Sequence, residues 1–207
     1  MKKILLLFIA LLFTGCAVGN KYNYQSSMIT LPVKPSVKRT LILSVEDLRP
    51  DVLSGKVGPN FVGIQRGGFG NAFDVTTSSG KPMTEDMSDA VAQGLRNAGY
   101  HVKNVQGNHN NVYLVQLATN NGATRIVVLK VYEWKSDIYL GITLNCNLHL
   151  SVFDAKGELL AENTMRFMEE IGGGQIGVEN NSRVMADEFA KRIGYLFNKQ
   201  DVRSALQ

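Results

Sequence analysis

Residues 138–153 read IYLGITLNCNLHLSVF, the longest clean alternation in the chain. Ile138, Leu140, Ile142, Leu144, Cys146, Leu148, Leu150 and Val152 are apolar. Tyr139, Gly141, Thr143, Asn145, Asn147, His149, Ser151 and Phe153 fall between them. Successive side chains of a strand point to opposite faces, so the run makes one apolar and one mostly polar face. Something must cover the apolar face, and the flanking sequence supplies it. Lys135-Ser136-Asp137 reads as the turn leading in. Asp154-Ala155-Lys156-Gly157 reads as the turn leading out, with Gly157 placed for a positive φ. Sixteen residues are long for one flat strand, so a bend or bulge is expected near Gly141.

On either side lie a strand from Arg125 to Trp134 and a return strand from Glu158 to about Glu169, which makes a three-stranded meander. Leu41–Val45 is a short buried strand that ends at Glu46-Asp47-Leu48-Arg49-Pro50. Pro82 to Ala98 has helical punctuation: Glu85 and Asp86 in the first turn, and Gly99 as the stop. Tyr100-His101-Val102 is a short strand. Asn110 or Asn111 caps a second helix, and a third covers about Ser182–Asn198 with Met185, Phe189, Ile193, Leu196 and Phe197 on one face. Residues 51–81 are glycine-rich. They are either a long irregular loop or a hidden hairpin of Val62–Ile64 with Phe73–Val75. The expected fold is α+β, a mostly antiparallel sheet with a long C-terminal meander and helices packed on one face.

Lys2, Lys3 and an apolar run from Ile4 to Phe13 have the layout of a secretory signal, too short to span a bilayer as a helix. Phe13-Thr14-Gly15-Cys16 resembles a bacterial lipobox, with Phe13 where Leu is usual. The resemblance implies cleavage before Cys16 and lipidation of Cys16. Ala17 stands where inner-membrane lipoproteins commonly carry Asp, which implies the outer membrane, periplasmic face. The expected organisation is a signal peptide over 1–15, a lipidated tether over 16–38, and one domain over 39–207. Within the tether, Leu31–Val33 is a stretch suited to docking on the domain.

Without the signal, 20 basic residues face 18 acidic ones, and no Lys/Arg run is present to neutralise a phosphate backbone. Nucleic acid is therefore not an expected partner. Cys146 reads as a small buried hydrophobe on the apolar strand face.

The chemical motifs are thin. Gly172, Gly174 and Gly177 satisfy G-x-G-x-x-G, but no further strand with an acidic residue follows, so a dinucleotide site is not expected. The histidines lack metal-ligand spacing, and no cofactor or catalytic residue is expected. Glu169 and Glu170, adjacent in a strand, point to opposite faces and do not form an acid–base pair. Three sets of contact residues remain. Asp47 and Arg49 close the first strand. Gly68, Gly70, Gly173 and Gly174 lie in the glycine loops 66–80 and 171–180; if adjacent, these loops would aim two helix N-termini at an anion. Asn145, Asn147 and His149 form the polar strand face, a candidate docking surface.

Asp47-Leu48-Arg49, Asn97-Ala98-Gly99-Tyr100, Gly122-Ala123 and Leu150-Ser-Val-Phe-Asp-Ala-Lys-Gly157 together resemble the YajG-like lipoprotein family over about residues 40–205. More distantly the layout is similar to the domain of curli-secretion lipoproteins and lipoprotein activators of peptidoglycan synthases. The resemblance implies a sandwich-like α+β fold and an envelope role through protein contacts, with a cell-envelope protein as partner and no catalysis. The alternatives are a small-anion sensor built on the glycine loops and a subunit of an oligomeric secretion complex, whose long hairpin would enter a membrane. Oligomeric state is not legible from these residues.

Overall fold

A computed structural model describes residues 19–67, 69–174 and 178–207. The signal segment, Cys16 and Gly68 lie outside the described residues. In chain order the elements are β1 (Lys21–Tyr22), β2 (Thr40–Asp47), α1 (Pro50–Leu53), β3 (Phe61–Arg66), β4 (Ala72–Thr77) and α2 (Met83–Asn97). There follow β5 (His101–Val105), α3 (Asn111–Asn120), β6 (Arg125–Ile138), β7 (Ile142–Asp154), β8 (Leu159–Glu170), α4 (Val178–Phe197) and α5 (Gln200–Leu206).

The fold is α+β, as expected, but the sheet is mixed. One edge of β6 pairs antiparallel with β7 along its whole length, and β7 pairs antiparallel with β8. The other edge is shared. Arg125–Val131 pairs parallel with β2, and Ser136–Ile138 pairs parallel with β3. Beyond β2 lies β5, also parallel, and beyond β3 lie β4 and then β1. The sheet thus forks along β6.

A bulge makes the fork possible. The β6–β7 register shifts between Val131 and Glu133, leaving Tyr132 as the extra residue. Before it Val127, Leu129 and Val131 point into the main core; after it Trp134 and Ile138 do, with the buried Ser136 in phase with them. Were Tyr132 paired in a regular ladder instead, Glu133 and Lys135 would point inward. The same phase change hides the true turn. β6 continues through Lys135-Ser136-Asp137 to Ile138, and the hairpin turns at Tyr139–Gly141, where the Tyr139 N–H donates to the Gly141 carbonyl at 3.1 Å. The long alternation is therefore one residue of β6, a turn, and most of β7. Gly141 lies in the turn, and the bulge lies in β6. At the other end Gly157 has φ +87°, as expected.

The apolar face of β6–β8 is roofed by α4 and α5, and α2 lies against β2 and β5 in the same main core. Cys146 is buried there, and burial pushes its thiol up to about 12. Not all helices share this face. Leu114 and Ala118 of α3 pack with Ile42, Ile126 and Val128 on the opposite side of the sheet. Asn110 is the cap of α3, its side chain accepting from the Tyr113 N–H at 2.9 Å. The 51–81 segment resolves as α1 followed by the β3–β4 hairpin.

The segment read as a tether is core from Tyr22 to Val33. Tyr22, Tyr24, Ile29, Leu31 and Val33 are buried. Tyr24 sits edge-on to Tyr22, Trp134 and Phe189, and its hydroxyl accepts from Trp134 Nε1 at 2.8 Å. The Tyr22 hydroxyl and Ser136 Oγ are bonded at 3.0 Å. Docking thus reaches well beyond Leu31–Val33, because two large aromatics satisfy both their apolar area and their hydroxyls in the core.

A chain starting at Gly19 should therefore fold cooperatively, whereas one starting at Arg39 should not. Within the longer chain, Tyr24→Ala should cost about 3–5 kcal/mol, the range for removing a large buried aromatic, read as a lowered midpoint in urea.

Candidate functional site

Where β2 leaves β6 and β3 has yet to join it, the sheet has a gap, and the residues around it form a recess. It measures about 440 Å³ and is lined by Leu48, Arg49, Pro50, Asp51, Val52, Val57, Phe61, Tyr132, Glu133, Trp134, Lys135 and Asn147. Its floor is held by Arg49, only 5% exposed. Arg49 Nε and Nη2 donate to the two carboxylate oxygens of Asp47 at 2.8 and 2.7 Å. Nη1 donates to the Phe61 carbonyl at 2.5 Å and Nη2 to the Pro59 carbonyl at 3.2 Å. A single guanidinium thus ties the end of β2 to the start of β3. Asn108 completes the strand end: the Asp47 N–H donates to its Oδ1, and its Nδ2 donates to the Asp47 carbonyl, both at 2.8 Å.

Of the sequence candidates, Arg49 and Asn147 meet in this recess, with Asp47 beneath them. Asn145 and His149 flank Asn147 on the same face of β7. His149 Nδ1 is bonded to Thr164 Oγ1 at 2.7 Å, and its Nε2 is 3.5 Å from Glu162. Register puts Asn147 between Glu133 and Arg166, and Asn145 between Lys135 and Met168. The polar face of β7 is thus continuous with the recess.

The glycine loops border the same β6–β7 turn, Gly174 against the Leu140 carbonyl and Gly70 in a recess with Leu140, but this meeting point lies away from the start of α2. Gly70 and Gly80 stand at opposite ends of β4, so the β3–β4 tip and the start of α2 are roughly 20 Å apart, the length of a six-residue strand. The first turn of α2 is occupied by the chain's own Asp86, which accepts from Ser79 and Gln25. The Gly174 N–H donates to Asn181 Oδ1 at 3.0 Å, and Asn181 Nδ2 donates to the Gly174 carbonyl at 2.6 Å. Gly173 packs on Ile142. Gly70 instead lines a second recess of about 590 Å³ at the hairpin tips, with Arg66, Asp137, Tyr139, Leu140, Gly141, Thr143 and Glu170. There Arg66 pairs with Asp137 at 2.6 Å. Glu169 and Glu170 diverge as expected: Glu169 pairs with Arg192, and Glu170 lines the tip recess.

Tyr132, Glu133, Lys135, Val57 and Phe61 were missed. No alternation signal marks them, because they converge only through the bulge and the fork. Among the described residues no three His, Cys, Asp or Glu are placed to hold a metal ion, and no helix is long and apolar enough to cross a membrane.

On the opposite side of β2, Glu46 is buried beside Lys130 and His109. Burial raises its carboxyl above the ordinary value of 4.5, partly offset by Lys130 and by the backbone N–H and charge of His109.

No protein-family model matches the chain, and no curated protein matches it. Solved structures do. A Xanthomonas campestris protein of the DUF330 family superposes with a TM-score of 0.50 at 12% identity, over 83% of this chain and 92% of that one. Lipoprotein GNA1162 from Neisseria meningitidis matches with a TM-score of 0.39 at 11% identity, over 76% of this chain and 99% of that one. The C-terminal domain of LpoB from Salmonella enterica matches at 0.32 and 12%, over 70% and 98%. What the DUF330 protein shares with this chain is the fold.

Asp47→Ala strands a buried guanidinium and should cost about 3–5 kcal/mol in urea unfolding. Asp137→Ala, at a surface pair, should cost less than about 1 kcal/mol. A raised carboxyl binds its proton more tightly in the folded state, so its contribution favours folding at low pH and is lost as pH rises through the folded value. Glu46→Gln should therefore remove a loss of stability that the parent protein shows just above pH 4.5, read from urea midpoints across pH.

Proposed function

We propose that this protein is a YajG-like lipoprotein, anchored by Cys16 in the outer membrane with its domain facing the periplasm. It acts there as a non-enzymatic module that holds another envelope protein. The observation that carries this reading is the state of the fork recess. Its one buried cation is spent on Asp47 and two carbonyls, which leaves apolar walls (Val52, Val57, Phe61, Tyr132) under a polar rim (Glu133, Lys135, Asn147). Such a recess offers a partner side chain a preformed apolar socket with hydrogen-bonding groups at its mouth. The Lys2–Cys16 layout supports the anchor, and the four quoted motifs support the family.

The reading is tested in cells with a photo-crosslinking residue in place of Tyr132, and another in place of Tyr195 on the exposed face of α4. Tyr132 should yield one defined adduct with an envelope protein, lost when Val57→Lys fills the socket; Tyr195 should not. Cys16→Ala should release the protein from the membrane fraction. Adducts of equal pattern at both positions would overturn the recess as the docking site.

A further inference from the structure

The path of the first described residues decides which end of the molecule faces the bilayer. β1 runs parallel to β4, Lys21 opposite Thr76 and Tyr22 opposite Thr77. Traced backwards from Lys21, the chain therefore heads for the start of β4 and the β3–β4 tip. The Asn20 carbonyl accepts from the Thr76 N–H at 3.2 Å, and Asn20 Nδ2 donates to Gln65 Oε1 at 2.9 Å. Gly19 lies so close to the Asp74 carbonyl that a side chain there would collide with it. Only two residues, Ala17 and Val18, separate Gly19 from Cys16, a span of at most about 10 Å. A lipid on Cys16 would thus be held close to the hairpin tips.

The same end carries exposed apolar side chains. The β6–β7 turn lies beside the end of β3, since Gln65 pairs with Ile138, and both hairpins line the tip recess. Phe69 is 98% exposed, Leu140 79% and Tyr139 50%. Among the described residues lining the tip recess the charges are Asp137, Glu170 and the Arg66 paired with Asp137, a set with no basic cluster to single out an anionic partner. Aromatic and aliphatic side chains on a short lead from an acyl anchor have the character of bilayer-interface residues.

We infer that the β3–β4 and β6–β7 hairpin tips rest in the headgroup layer of the bilayer that holds Cys16, with Phe69, Tyr139 and Leu140 inserted. The domain is thereby fixed tip-down. The inference rests on the Cys16 anchor proposed above. Contact is interfacial: β3 and β4 are six residues each, and both are paired within the sheet, too short and too enclosed to span a bilayer.

The test uses the lipidated chain purified from membranes and reconstituted into phosphatidylethanolamine–phosphatidylglycerol vesicles. Leu140→Cys and, at the far end of the sheet, Leu160→Cys are labelled with an environment-sensitive fluorophore; the buried Cys146 stays unlabelled. The label at 140 should shift to the blue, brighten several-fold and be quenched by headgroup-region spin-labelled lipid, while the label at 160 does none of these. Acylated Cys16 with an unshifted label at 140 would overturn the orientation alone. A label at 140 shielded in cells but not in vesicles would do the same in favour of a protein contact. A Cys16 thiol that reacts with the fluorophore would overturn anchor and orientation together.

Discussion

One strand must satisfy two parallel neighbours on a single edge, and the rest of the structure follows from how β6 does so. β2 and β3 cannot form one continuous partner, because the chain leaves the sheet at Asp47 and returns at Phe61. The extra residue Tyr132 sits at that seam and re-phases β6, so that Trp134 and Ile138 reach the same core as Val127 and Leu129. Backbone pairing lapses at the seam, and carbonyls there need other donors. Arg49 supplies one for Phe61 and a second for Pro59, which also accepts from the Met83 N–H, while neutralising Asp47.

A buried ion pair adds little net stability against a hydrophobic substitute, since desolvation offsets most of the Coulomb gain. Its value here is geometric. The planar fork of guanidinium donors sets the spacing between two strand ends, and so the width of the recess above them. A recess whose floor is held in this way needs little reordering to receive a side chain, which lowers the entropic cost of docking.

The alternation in residues 142–153, the cap at Asn110, the helix after Pro82 and the turn at Gly157 were all legible, because each is a local pattern with a local cause. The end of β6 was not. Periodicity assumes constant phase, and the bulge at Tyr132 breaks it, so Ser136 and Asp137 took on the look of a turn. Tyr22, Tyr24, Ile29, Leu31 and Val33 did carry a signal, a loose period of two, but the polar residues and prolines between them read as linker. For the recess the obstacle was topological: Arg49 and Asn147 are 98 positions apart in sequence and meet only across the fork.

The fork also orders events in time. As the chain emerges from its N-terminus, β2 and β3 each have an early companion in β5 and β4, but both keep an open parallel edge until Arg125–Ile138 arrives. Well over half of the chain must be available before that edge closes, and long-range parallel pairing is slow to form. Through that interval two half-sheets with unpaired edges coexist, the state in which chains are most open to misassociation. A chain built this way keeps those edges open until β6, complete only at Ile138, locks the two halves into one.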